Sequence, residues 1–288
     1  MTELVALNAL DNPPQGRRRK WLLLLLTYFI VGIACQLGLL GDHWMDQHSG
    51  REFSGPAAGA WLGTDHLGRD LAAQLAQGVR IALAVGVMAA GGAVMLGTLM
   101  GMLGAWFRGW VDQTVLWISS TVVAIPGILL VIAIASVLDK GIPAVVLAFT
   151  LVSWVSCYRL IRAEVMRLQG MDFVLAAKAE GGSTYQICVG HLLPHLWPLI
   201  KVQFSLSFVW AIQTEAVLSF LGVGLADAPS WGRMIADAWA WNDLGSGHIW
   251  RLASATLALA GLSLAVQRLT AMPSHSPVPQ RGDLPARN

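Results

Sequence analysis

The chain has 288 residues, 55% of them hydrophobic and 12% charged, with a mean hydropathy of +0.58 and a formal net charge of +2. Charged residues make up about a quarter of an average soluble domain, so this composition excludes an ordinary soluble fold and indicates an integral membrane protein. The net charge says little as a total; its placement along the chain says more.

Residues 1–20 form an N-terminal segment ending in Arg17, Arg18, Arg19 and Lys20, and the apolar run 21–40 follows. Basic residues before an apolar run also suit a cleavable signal peptide, but this run is long and no small-residue cleavage site follows it cleanly. It is therefore read as a retained first transmembrane helix. Crossing the bilayer takes about 20 mostly apolar residues. By that measure six spans are predicted, at 21–40, 80–104, 113–137, 142–160, 199–222 and 250–267. Thirteen of the 19 Lys and Arg then share the side of the N-terminus, and the positive-inside bias places both termini in the cytoplasm.

The external loop and elbow, 41–79, carries Gly63–Asp70, GTDHLGRD. Thr64 or Asp65 can cap the approach to the second span, and Arg69 and Asp70 can pair locally. A structural elbow and contact with an external protein both fit this stretch. His43 and His48 with Asp42 and Asp46 read as a solvated loop. Within the second span Gly91, Gly92, Gly97, Gly101 and Gly104 form a small-residue surface, suited to close packing inside one bundle or to a subunit interface. Pro126 and Gly127 should kink the third span, because proline removes a backbone donor. A tight turn at Asp139 to Gly141 follows.

The loop 163–195 holds the most informative segment. Asp172 can cap a helix from Phe173 to Glu180, and Gly181 or Gly182 can supply a left-handed stop. Ala176, Ala177 and Ala179 leave a low-relief surface that another protein can approach closely. Tyr185 through Leu193 then leads to Pro194 and the fifth span. His191 and His195 have the spacing of a metal pair, but Pro194 lies between them and no third ligand is near, so no metal site is expected. Glu215 is an intramembrane carboxylate, which costs about 2.5–3.5 kcal/mol when charged and should face protein or water. It is either a buried pair with Gln213, Thr214 or another helix, or a functional group. Cys35, Cys157 and Cys188 show no metal or disulfide spacing. The core runs over 80–267, and the tail 268–288, rich in Pro, Ser and Arg, is expected to be disordered. The chain has no phosphate-cradling G-x-x-x-x-G-K-[ST] loop and no plausible nucleophile–base pair, so no catalytic residue is assigned.

Leu175 to Pro194, LAAKAEGGSTYQICVGHLLP, resembles the EAA loop of bacterial ABC-importer permeases. Ala176, Ala177, Gly181, Leu193 and Pro194 fall on that pattern, while Leu175 stands where the family usually has glutamate. GTDHLGRD, Trp110–Asp112 with Ala124–Leu129, EAVLSFLGVG at Glu215–Gly224 and PSWG at Pro229–Gly232 narrow the resemblance to the dipeptide/oligopeptide/nickel branch and its second, C-type permease subunit. The final span departs from the branch: LSLAVQRLTAM runs into the Pro-rich tail. The resemblance implies an all-α type I importer permease in the bacterial inner membrane, working by alternating access. Asp172, Leu175, Ala176, Ala177, Lys178, Ala179, Glu180, Gly181 and Gly182 would couple to two ATPase subunits, which hold the ATP and Mg; this chain itself binds no cofactor. Glu215 and Ser219 would lie at the translocation path or gate. Gly63, Asp65, Arg69, Asp70 and Trp231 would meet an external substrate-binding protein. A related permease subunit completes a heterodimer, membrane lipid surrounds it, and no nucleic acid is expected. Peptides are the expected cargo. Nickel or a metal chelate is the alternative, and an ATP-independent secondary transporter is a further one.

Overall fold

The computed structural model describes residues 15–48, 50–57, 59–138, 141–225 and 228–270. Met1–Pro14, Asp139, Lys140 and the tail from 271 onward, with the expectations made for them, lie outside the described residues. The described chain is helical: α1 (Gln15–Gln36), α2 (Leu71–Phe107), α3 (Gly109–Val123), α4 (Gly127–Val137), α5 (Ile142–Leu168), α6 (Asp172–Ala179), α7 (Leu193–Phe220), α8 (Trp231–Ala240) and α9 (Trp250–Thr270). A 3-10 turn at Asp42–Met45 and a π-helical turn at Gln186–Leu192 complete it.

The central helix is α2. Its 37 residues make it roughly 55 Å long at about 1.5 Å per residue, well beyond the roughly 30 Å of hydrocarbon. It begins at Leu71 rather than near 80 because Asp70 caps it, accepting from the Ala72 amide at 2.9 Å. The span expectation thus missed an extension that carries the helix out to the elbow. α5 and α7 likewise run past their expected ends, to Leu168 and from Leu193.

The glycine surface of α2 is used inside this chain. A Cβ on Gly97 would lie 2.6 Å from both Cys157 Cβ and the Trp154 carbonyl oxygen; one on Gly101 would lie 3.0 Å from Ile161 and the Tyr158 carbonyl. The α2 and α5 backbones therefore touch, as small residues allow where lipid supplies no hydrophobic drive. Gly91 has no atom that an added Cβ would meet and borders an apolar cleft between α2 and α7.

The third span is broken as Pro126 and Gly127 require: α3 and α4 meet at 91°. By length and composition α1, α2, α5 and α9 can each cross a membrane, and α3 with α4 can form a fifth, broken crossing. α9 covers the expected last span at 250–267 and runs to Thr270, its 21 residues reaching about 30 Å. α7 is long enough, but the polar residues Lys201, Gln203, Gln213, Thr214 and Glu215 lower its hydropathy. α1 packs on α2 and α9, where the Tyr28 hydroxyl donates to the Ala258 carbonyl at 2.9 Å.

Candidate functional site

Residues of interest gather at the two opposite ends of α2. At its C-terminal end lies α6. The buried face of α6 is narrow: Val174 is fully buried among Val165, Leu168, Ile187 and Leu192, and Phe173 stacks on His195 with ring centroids 4.6 Å apart. Asp172, Leu175, Ala176, Lys178, Ala179, Glu180 and Gly181 are exposed, while Ala177 and Gly182 are half-buried. The helix is therefore pinned by Val174 and Phe173 and presents Leu175, Ala176 and Ala179 outward.

Its termini correct one expectation and match another. The cap position is Met171, which makes no side-chain cap bond; Asp172 is instead the first helical residue, where its charge suits the helix dipole. At the other end Gly181 has φ +80, and the amides of Gly181 and Gly182 donate back to the Lys178 and Ala177 carbonyls. That is the left-handed stop that only glycine adopts without strain. The Lys178 ammonium sits 5.0 Å over the Trp106 ring, and the Trp106 indole donates to Thr184, so the end of α2 grips both sides of the loop. His195 Nδ1 lies 2.7 Å from the His191 carbonyl oxygen, so the histidine pair serves a local contact.

At the other end of α2, two sequence motifs form one joint. Glu215, 2% exposed near the end of α7, accepts from the Ser219 hydroxyl at 2.6 Å, and the Ser230 hydroxyl reaches the same carboxyl. Its partners are thus Ser219 and Ser230, not Gln213 or Thr214. Ser230 also caps α8, accepting from the Arg233 amide. Trp231 then enters the bundle, donating from its indole to the Leu75 carbonyl and lying where a Cβ on Gly78 would be 2.4 Å from its ring. At 2% exposure Trp231 is a packing residue, which corrects its assignment as an external contact. Glu215 and Ser219 are equally enclosed, so in this conformation they face protein rather than an open path.

Residues 93–272 match the family described as the inner membrane component of binding-protein-dependent transport systems. The chain belongs to that family. It is 34% identical over 218 residues to a dipeptide transport system permease protein of Alkalihalophilus pseudofirmus, covering 75% of this chain and 71% of that protein. It is 36% identical over 185 residues to a glutathione transport system permease protein of Pectobacterium atrosepticum, covering 64% and 62%. An oligopeptide transport system permease protein of Bacillus subtilis is 34% identical over 183 residues, covering 63% and 60%. The chain therefore spans about three fifths to seven tenths of the length of these relatives. In fold it resembles a chain of the MetNI methionine ABC transporter in an inward-facing conformation, with TM-score 0.54 and 18% identity over 68% of this chain and 94% of that one.

As an inner membrane component of a binding-protein-dependent transport system, the chain carries its elbow at the N-terminal end of α2, beside α8. Gly63 has φ +82, and a Cβ there would lie 2.6 Å from the Ser54 carbonyl oxygen. Asp65, 1% exposed, accepts from the Leu67 and Arg69 amides, from Arg69 Nε at 2.7 Å and from Gln74 at 2.9 Å. Burial opposes its charge, but those four donors hold its carboxyl below the ordinary carboxylate range. Arg69 therefore pairs with Asp65 and not, as expected, with Asp70, which caps α2 and faces His43 at 3.4 Å. Asp65 is internal to this permease's elbow, while Arg69 borders a polar cavity of about 570 Å³ with His66, Arg233, Asp237 and Trp241.

Sequence reading missed Gln74, His66 and Arg251 in this elbow. Arg251 is buried against Asp243 through two bonds of 2.8 Å and approaches His66, whose ring stacks on Trp241 at 4.3 Å. An arginine in an apolar run was the available signal: at 2% exposure it needs a carboxylate, and Asp243 is eight residues away.

Proposed function

We propose that this permease forms half of a peptide translocation path and is driven through α6 by two ATPase subunits that hold the ATP and Mg. A related permease subunit supplies the other half, because one six-helix chain makes only part of a path; in that reading α7 is the fifth span and α9 the sixth. The positive-inside bias puts α6 and both termini in the cytoplasm, and leaves the elbow and its cavity outside for a substrate-binding protein. The supporting observation is α6 itself: an eight-residue helix held by Val174 and Phe173, with Leu175, Ala176 and Ala179 facing away from the bundle. Its anchor packs with the end of α5 and with the π-helical turn that leads into α7, so a push on α6 is passed to those elements. Peptide cargo is supported by relatives named for dipeptides, oligopeptides and glutathione. The metal-chelate and secondary-transporter alternatives are not favoured by these similarities.

The deciding experiment is reconstitution with the companion permease, ATPases and binding protein. Uptake of a labelled peptide that needs ATP and is abolished by Ala176→Arg with Ala179→Arg supports the assignment. Uptake by the chain alone on an ion gradient would overturn it.

A further inference from the structure

A second site lies beside α6, in a polar cavity of about 370 Å³ lined by Trp106, Arg108, Met166, Gln169, Gly170 and Lys178. These residues come from the break between α2 and α3, the end of α5, and α6. No carboxylate lines the cavity. Lys178 makes no ion pair among the described residues; only the Trp106 ring holds its ammonium. Arg108 donates one bond, 3.1 Å, to Gln169 Oε1, and Gln169 is oriented by its own donation to the Ala105 carbonyl at 3.1 Å. Asp112 acts electrostatically on Arg108, but both its oxygens are taken by Arg162 at 2.6 Å. Two cations and a fixed amide thus converge on a space with no internal anion to neutralise them.

The surroundings say which anion fits. Here the apolar run of α2 ends, and Phe107 and Trp110 are exposed at 59% and 77%. Exposed aromatics at the end of an apolar helix mark the level of the lipid headgroups. Basic pockets between transmembrane helices at that level suit anionic lipid headgroups. Arg108 also has φ +49, a left-handed conformation that a non-glycine side chain adopts at a cost, so its placement is held by the surrounding structure. We propose that this cavity binds the phosphate of an anionic phospholipid, Arg108 and Lys178 both donating to it, and so ties α6 to the membrane. The binding stands without the coupling role of α6; only its effect on coupling rests on that reading.

The test is native mass spectrometry of the full chain released from micelles containing phosphatidylglycerol, phosphatidylcholine or 5 mM inorganic phosphate, a concentration on the order of millimolar chosen to saturate a weak anion site. Arg108→Gln keeps an unbranched polar side chain at the positive-φ position while removing the charge, and Lys178→Gln is a second, independent variant. Each should lower bound phosphatidylglycerol about threefold or more, with phosphatidylcholine unchanged. Arg167→Gln, at a cation already paired with Glu164, should change neither. Equal phosphatidylglycerol retention in both cavity variants and the unaltered chain overturns the proposal. Displacement of the lipid by inorganic phosphate assigns the cavity to free phosphate and overturns the lipid source. In a further arm with the ATPase added, loss of bound phosphatidylglycerol from the unaltered chain assigns the cavity to an acidic side chain of that partner and also overturns it.

Discussion

Gly232 lies against the carbonyl oxygen of Ala216 so closely that a Cβ on it would sit 2.1 Å away. The contact joins the first turn of α8 to the last turns of α7, beside Glu215 and Trp231. Neither backbone can yield without shifting its helix. Overpacking a well-filled site costs about 1–3 kcal/mol, and a clash with backbone belongs at the upper end. Gly232→Ala should therefore lower the melting temperature in detergent by several degrees. An unchanged melt would show that the joint is loose.

The same joint makes a separable prediction at Glu215. Glu215→Gln keeps a side-chain oxygen to accept from Ser219, whereas Glu215→Ala leaves buried hydroxyls without their acceptor, at a cost of about 1–3 kcal/mol. The glutamine variant should melt within a few degrees of the unaltered chain and the alanine variant clearly lower. If the path reading is correct, both reduce uptake in the reconstituted transporter. If the residue only supports packing, uptake follows the melt, and Glu215→Gln retains it.

On α6 the half-buried Ala177 is a poor probe, because a bulky replacement there disturbs the chain's own core. Ala176 and Ala179 face out, and Leu175, 49% exposed, offers an aliphatic contact. Leu175→Ala should weaken ATPase association by about 1–2 kcal/mol, a five- to thirtyfold rise in Kd, without altering the melt. An unchanged affinity, read by surface binding of the ATPase to the permease in nanodiscs, removes Leu175 from the contact.

The elbow should be acid-sensitive through His66. Burial pushes its imidazole below the ordinary value; Asp65 and Asp237 oppose the shift, and Arg251 and Arg69 add to it. The unfolded chain takes up this proton near pH ~6.5, the folded chain only at lower pH. Between those points the unfolded state binds more protons, so stability is full above about pH 6.5 and falls as pH drops toward the folded value. His66→Gln should flatten the loss of melting temperature between about pH 7.5 and 5.5. An identical pH slope in the variant would assign the sensitivity to another group.

Legibility of the chain divides by range. Pro126 with Gly127 announced the 91° break, and Gly181 announced the left-handed stop after α6, because proline and glycine act through their own backbone. Asp172 reads as a cap in the sequence but is the first helical residue, with Met171 at the cap position, a difference of one residue in register. The sequence pairs Arg69 with its neighbour Asp70, but its partner is Asp65, four residues back in the loop, a choice made by the burial of Asp65 with Gln74.

Composition and hydropathy by themselves determined a helical membrane chain, and the motif order determined its family, since both are properties of consecutive residues. Whether a motif residue faces outward or packs within was decided only by the tertiary structure. Trp231 fills the space that Gly78 leaves open, and Glu215 meets Ser230 across a turn of the chain. Those contacts depend on how far apart two helices lie and at what angle they cross, and no single stretch of residues carries that geometry.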